Sequence, residues 1–245
     1  DYYHKYYDPS KLVIAVAGNI EHNRVVEKLQ PLFEGKKSKH SDRKLILPKP
    51  HRSVVCRSKD TEQVHLCIGT PGLKLSDDNY YVLQVINTIL GGGPSSRFFQ
   101  EIREQRGLVY TVFSYHTSYH DAGLFCIYSG LSKENIDKVL ELVLKQIWDI
   151  QNNGASKEEL QRAKDQLKGN LYLSLENVST RMSRLGKSQL YLGQVIPPEE
   201  IVNLVNKVQS EDIQALASEM LKPENFSLAT IGPWEDCGNL EKALN

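Results

Sequence analysis

The stretch from Gly91 to Gly130, GGGPSSRFFQEIREQRGLVYTVFSYHTSYHDAGLFCIYSG, limits the possible folds more than any other part of the chain. Glycines and a proline break a preceding helical pattern, and Ser95 or Ser96 stands where the next short helix needs its cap. Phe98, Phe99 and Ile102 give that helix an apolar side, and Gly107 stops it. Two β-rich runs follow, roughly Val109–Tyr119 and Gly123–Ser129, hinged at Asp121-Ala122-Gly123. Arg103 is thereby set near a helix end and Tyr110 at a strand start, so both can point at whatever lies beside that strand.

The neighbouring segments predict an α+β fold. Ser53–Ser58 and Val64–Thr70 read as strands, and Ser76 caps a helix whose apolar positions include Val82, Val85, Ile86 and Ile89. After the paired strands, Ser132 opens a helix with Ile136, Val139, Leu140, Val143 and Ile147 at helical spacing, ended by Asn153-Gly154. Ser156-x-x-Glu159 is a capping box, Pro197-Pro198-Glu199-Glu200 suits a helix start, and Ser210 caps a further helix before a closing strand, Phe226–Ile231. Strands, helices, a strand pair, several helices and a strand, in that order, imply a mainly antiparallel sheet covered by helices on one face.

Ahead of this unit, residues 1–35 carry a strand-like run, Leu12–Ala17, and a helical pattern over His22–Leu32. Tyr3 and Tyr7 share a helical face, so the chain opens on what reads as the last turn of an amphipathic helix, the mark of a fragment. Residues 36–50 are polar, lysine-rich and punctuated by proline, a linker, which leaves 51–245 as the second unit. The basic cluster in that linker, including Lys36, Lys37 and Arg43, has no interleaved aromatics and reads as a solvated face.

Thirty basic residues balance thirty acidic ones, so no long-range field recruits nucleic acid or an anionic membrane. No apolar run approaches the roughly 20 residues that span a bilayer. Cys56, Cys67, Cys126 and Cys237 form no C-x-x-C pair, and Cys67 and Cys126 sit in apolar strand-like runs, which reads as an intracellular, or at least reduced, chain. Among the histidines only His116 and His120 are suggestively spaced, but in a strand they stand roughly 13 Å apart. A zinc grip needs helical i, i+4 geometry instead. The glycines at 91–93 lack the lysine of a phosphate loop, and paired acids such as Glu158-Glu159 sit at helix starts where the dipole accounts for them. Read alone, nothing in the chain performs chemistry. Arg103 and Tyr110 remain, and the pattern alone reads two ways: one charge among Glu101, Arg103, Glu104 and Arg106 on an exposed helix face with an ordinary strand aromatic, or a pair suited to gripping an extended peptide.

The run Gly91–Tyr110 closely resembles the signature of the second half of pitrilysin-type zinc peptidases, the inverzincins, in particular their bacterial processing-protease and mitochondrial processing-peptidase branch. YYDPSKLVIAVAGNI (Tyr6–Ile20) resembles the end of the family's first domain, and Phe226–Trp234 the close of the second. The resemblance implies two similar α/β-roll domains closing around an unfolded peptide. It assigns this chain one complete domain plus a remnant of the preceding, zinc-bearing one. Arg103 and Tyr110 match the family's substrate-gripping arginine and tyrosine.

The family's metal site, an inverted His-x-x-Glu-His helix plus a distant glutamate, has no counterpart in residues 1–245. The resemblance therefore implies zinc in the full-length protein, none bound by this chain, no catalytic residue within it, and no activity by this portion alone. Its implied partners are an extended peptide and a zinc-bearing domain or partner subunit, in a possible homo- or heterodimer, with a bacterial cytoplasmic location. The alternative it implies is a natural non-catalytic subunit of a heterodimeric processing peptidase.

Overall fold

In the computed structural model, residues 2, 6–35 and 46–234 are described. The expectation for Tyr3 and for the basic cluster at 36–44 lies outside the described residues. The chain divides into two compact units, one of Asp1–Ile46 with Asn170–Pro198, the other of Leu47–Gly169 with Glu199–Asn245.

The larger unit is built on five strands: β1 (Val54–Ser58), β2 (Val64–Gly72), β3 (Val109–Ser118), β4 (Gly123–Leu131) and β5 (Ser227–Gly232). Their order is β1-β5-β2-β4-β3, and every pairing is antiparallel except β1 with β5. Alternation explains the layering. In β2, Val64, Leu66, Ile68 and Thr70 are buried while His65 between them is exposed, as expected of a sheet with one covered face. The cover comes from α2 (Tyr80–Gly91), α3 (Ile136–Asn153) and α7 (Ser210–Met220), whose apolar stripes join the inward strand residues in one core. Phe113 (38% exposed), Tyr115 (39%) and Leu124 (42%) stand on the opposite face. The mainly antiparallel sheet with helices on one face thus agrees with the sequence.

The smaller unit contains α1 (His22–Phe33) and α5 (Val178–Leu192), neither of which has a buried residue. The run Leu12–Ala17, expected as a buried strand, forms no strand. Exposure nonetheless alternates through it, with Leu12, Ile14 and Val16 exposed and Val13, Ala15 and Ala17 half-buried. The side-chain period of a strand is present without a ladder partner among the described residues, and a strand needs both. The other helices are α4 (Lys157–Glu176) and α6 (Pro198–Lys207).

Two expected caps differ. Asn79, not Ser76, precedes α2, after a turn in which the Asp77 carboxylate accepts the Asn79 N–H at 3.0 Å. At α7 the Gln209 N–H donates to Asp212 at 2.8 Å. Ser210 is freed to bond the Ala155 carbonyl (2.8 Å) and N–H (3.0 Å), pinning the α3–α4 turn to α7. Of the described cysteines, Cys56 is disulfide-bonded, contrary to the reduced reading, while Cys67 and Cys126 are free.

Gly91 ends α2 directly against β3. A Cβ there would overlap the Ser114 backbone nitrogen and lie 2.8 Å from the Phe113 carbonyl carbon, so only glycine permits this approach. The glycine is there for packing. Gly91→Ala should destabilise the chain by about 1–3 kcal/mol through overpacking, read as a lowered midpoint in urea unfolding.

Candidate functional site

The site grows from the glycine loop after α2. The Ser96 hydroxyl donates to the Gly93 carbonyl at 2.6 Å, and the Gln166 amide of α4 donates to the Gly92 carbonyl at 2.9 Å. Arg97 then turns inward, its side chain only 11% exposed. Its Nε and Nη2 grip both oxygens of Glu159 (2.8 and 3.0 Å), Nη1 reaches Asp149 (2.7 Å), and Nη2 also reaches the Gly154 carbonyl (2.9 Å). Bidentate, charge-assisted bonds of this kind are strong and directional. Glu159 serves two partners, because it also accepts the Ser156 N–H at 3.1 Å while its own N–H donates to Ser156 Oγ at 3.2 Å. Burial pushes its carboxyl up, but the bonds from Arg97 and Ser156 outweigh that and hold it below the usual range.

Anchored at Arg97, the chain forms a π-helical turn, Phe99–Glu104, in which the Gln105 N–H reaches back five residues to the Gln100 carbonyl at 2.9 Å. Such a turn holds one residue more than an α-helical turn and is enriched at functional sites. Ile102 points into the core and Arg103 points out. The Gly107 N–H bonds the Arg103 carbonyl and the Leu108 N–H bonds the Ile102 carbonyl, both at 3.0 Å. With Gly107 at φ 62°, the bond from its N–H to Arg103 is that of a left-handed glycine cap. The Asn135 amide clasps the Leu108 carbonyl at 3.1 Å. The Arg103 guanidinium lies 4.8 Å from the centre of the Phe99 ring, a stacking that orients it without covering it.

Tyr110 owes its direction to a β-bulge. Val109 pairs with Leu131 and Thr111 with Gly130, so Tyr110 is the extra residue. Counting back by twos from buried Val112 would put Tyr110 in the core and Val109 outside. The bulge reverses this, leaving Val109 buried and Tyr110 55% exposed. The Tyr110 phenol lies 3.3 Å from the Ser132 hydroxyl. Arg103 and Tyr110 are thus displayed at the same helix-to-strand corner, each with its own light contact and no hydrogen bond between them among the described residues. A cavity of about 460 Å³, lined by residues such as Pro48, Gly69 and Leu124, lies at the other end of β4.

No group of His, Cys, Asp or Glu among the described residues is arranged to hold a metal ion. His116 lies half-buried beside α2, its ring edge-on to Tyr80 at 5.7 Å, and burial lowers its pKa. His120 is exposed in the turn after β3.

The Arg97 network, the π turn and the bulge were not foreseen. The bulge had a signal: Val109 and Val112 are both apolar but three apart, which breaks the period of a strand. The π turn had none.

The sequence matches the family described as Peptidase M16 inactive domain over residues 1–167. It is 39% identical over 232 residues to an uncharacterized zinc protease of Bacillus subtilis, covering 95% of this chain and 56% of that protein. To an uncharacterized zinc protease of Streptomyces coelicolor it is 36% identical over 243 residues, covering 96% and 53%. The chain spans about half the length of these curated relatives. A peptidase M16 inactive domain from Pseudomonas fluorescens superposes with a TM-score of 0.79 at 23% identity, over 89% of this chain and 52% of that one. A Helicobacter pylori protease gives 0.78 at 17% identity, over 89% and 54%. These two likenesses establish the fold.

Arg97→Ala strips the partner from Glu159, Asp149 and the Gly154 carbonyl together, and should destabilise the chain by about 2–3 kcal/mol. The Glu159 carboxyl is held low in the folded state, so its contribution is full above the unfolded carboxylate pKa and lost as pH falls through the folded value. Unfolding midpoints of wild type and Arg97→Ala should therefore converge as the solution is acidified.

Proposed function

The chain belongs to the peptidase M16 family, and we propose that it is the metal-free half of a zinc endopeptidase that cleaves extended peptides inside a closed chamber. The name zinc protease on relatives about twice its length supports this reading. The zinc and its ligands are assigned to a part outside the described residues, because these offer no group arranged to hold the ion.

The observation that carries the reading is the corner itself. A π turn and a β-bulge, two departures from regular backbone, turn Arg103 and Tyr110 outward beside β3, an edge strand of the sheet. An extended peptide adds a strand along such an edge, with main-chain bonds giving affinity and little sequence selectivity. Arg103 offers a planar fork of donors to peptide carbonyls or a carboxylate. Tyr110 donates a hydrogen bond to the oxyanion that develops on the scissile carbonyl. Its present bond to Ser132 is long enough for a substrate oxygen to displace. The bare sheet face, with Phe113 and Tyr115, forms the wall against which the peptide lies.

In the complete protein, Tyr110→Phe should lower kcat about 100- to 1,000-fold, and Arg103→Ala should raise KM, with zinc content and circular dichroism unchanged. Wild-type kinetics in both variants would remove these roles. The chain alone should cleave nothing. Activity regained on adding a separately produced zinc-bearing chain identifies a two-subunit enzyme, and activity only from one continuous polypeptide identifies a single-chain one.

A further inference from the structure

The choice of peptide, which rests on the reading of β3 as the peptide-binding edge, lies in the side chains along that strand. The two edges of the sheet differ in kind. β1 is 5 residues long and bears Arg57, the short and charged form that discourages pairing with another chain. β3 is 10 residues long and contains no Lys, Arg, Asp, Glu or Pro. Its one irregularity, the bulge at Tyr110, lies at its start. Thr111–Ser118 is left as a regular edge whose sole ladder partner among the described residues is β4. An unprotected edge of this length is a template for an added strand.

Burial sorts the side chains of β3 into two rows. Val112 and Ser114 face the helices, while Thr111, Phe113 and Tyr115 face away. On that open face Phe113 stands opposite Tyr128 of β4, and Tyr115 opposite Cys126. The ring centres of Phe113 and Tyr128 are 5.0 Å apart, and those of Phe113 and Tyr115 are 6.0 Å apart. Tyr128 is itself held. Its hydroxyl lies 2.7 Å from Nδ1 of His65 on β2 and close over Gly130, where a Cβ would come within 3.5 Å of it. His65, Tyr128, Phe113 and Tyr115 thus form one aromatic layer that starts in mid-sheet and stops at the free edge. No strand of the sheet contains Asp or Glu, and the one arginine, Arg57, stands on the opposite edge. The layer offers rings and phenols rather than charge.

We propose that Phe113 and Tyr115 select peptides with aromatic or branched apolar side chains at two positions, two residues apart, on one side of the cleaved bond. A strand added beside β3 lies roughly 4.8 Å away. It sends alternate side chains to the open face, where two of them meet Phe113 and Tyr115. Rings on adjacent strands at that spacing make the same kind of tilted contact that Phe113 makes with Tyr128. Both positions lie to the same side of Tyr110, because Phe113 and Tyr115 follow it along the strand. Neighbouring residues of the peptide point to opposite faces, so a pair of adjacent aromatic residues fills only one position. A carboxylate at either position is repelled by the negative ring faces.

The complete, zinc-loaded protein can be given quenched fluorescent peptides of one length that differ only in where Phe replaces Ala. Phe at each favoured position should raise kcat/KM about three- to tenfold over Ala. Two Phe residues two apart should multiply these gains, and two adjacent ones should give a single gain. Phe113→Thr and Tyr115→Thr should each abolish the preference at one position, and Tyr115→Phe, which keeps the ring, should retain it. Alternate and adjacent Phe pairs cleaved equally well, or preferences unmoved in both Thr variants, would overturn the proposal even where Tyr110→Phe slows turnover. Wild-type turnover in Tyr110→Phe and Arg103→Ala would instead remove the peptide-binding reading, and the proposal with it. Specific activity that falls as the protein is concentrated would put a second copy on the edge and overturn the proposal as well.

Discussion

One guanidinium holds the candidate site in place. Arg97 ties the first residues of the π-turn segment to the end of α3, through Asp149 and the Gly154 carbonyl, and to the start of α4, through Glu159. These pieces lie more than fifty residues from Arg97 in sequence, and no local propensity would bring them together. At 11% exposure the charge must be paired, and four charge-assisted or polar bonds do so with little freedom left in the side chain. At the far end the left-handed glycine cap at Gly107 and the Asn135 clasp fix where β3 begins. Arg103 and Tyr110 are therefore exposed side chains on a tightly held backbone. Groups that must meet a ligand at defined positions need that combination.

The two irregularities between those anchors share a logic. A regular helix and a regular strand would place Arg103 and Tyr110 by the ordinary periods, and for Tyr110 that period leads into the core. One extra residue in the turn and one in the strand change each side chain's direction, while Ile102, Val109 and Val112 stay buried. The core is conserved through both departures, so direction is gained at small cost in packing.

Much of the fold was legible because its signals are local. Alternation in Val64–Thr70, helical spacing from Ile136 to Ile147, the Ser156–Glu159 box and the Gly107 stop all depend on neighbours within a few residues. The misses depend on partners far away. Leu12–Ala17 has the composition and alternating exposure of a strand, but a ladder is a property of two segments. Ser210 looks like a cap and instead joins α7 to the α3–α4 turn, because Asp212 satisfies the cap N–H. Glu159 reads as a carboxylate suited to a helix dipole, and only the fold reveals Arg97 against it. For Arg103 and Tyr110, the sequence supplied the residues and their helix–strand setting, while the π turn and bulge that aim them came from the structure.

The account rests on an extended peptide engaging the corner and edge formed by residues 99–118. Hydrogen exchange of the complete, zinc-loaded protein, measured with and without a slowly cleaved peptide, addresses this directly. The account predicts new protection of β3 edge amides and of the turn that carries Arg103, with the helix-covered core unchanged. Protection confined to the cavity around Pro48, Gly69 and Leu124, or none in this half of the protein, would contradict it.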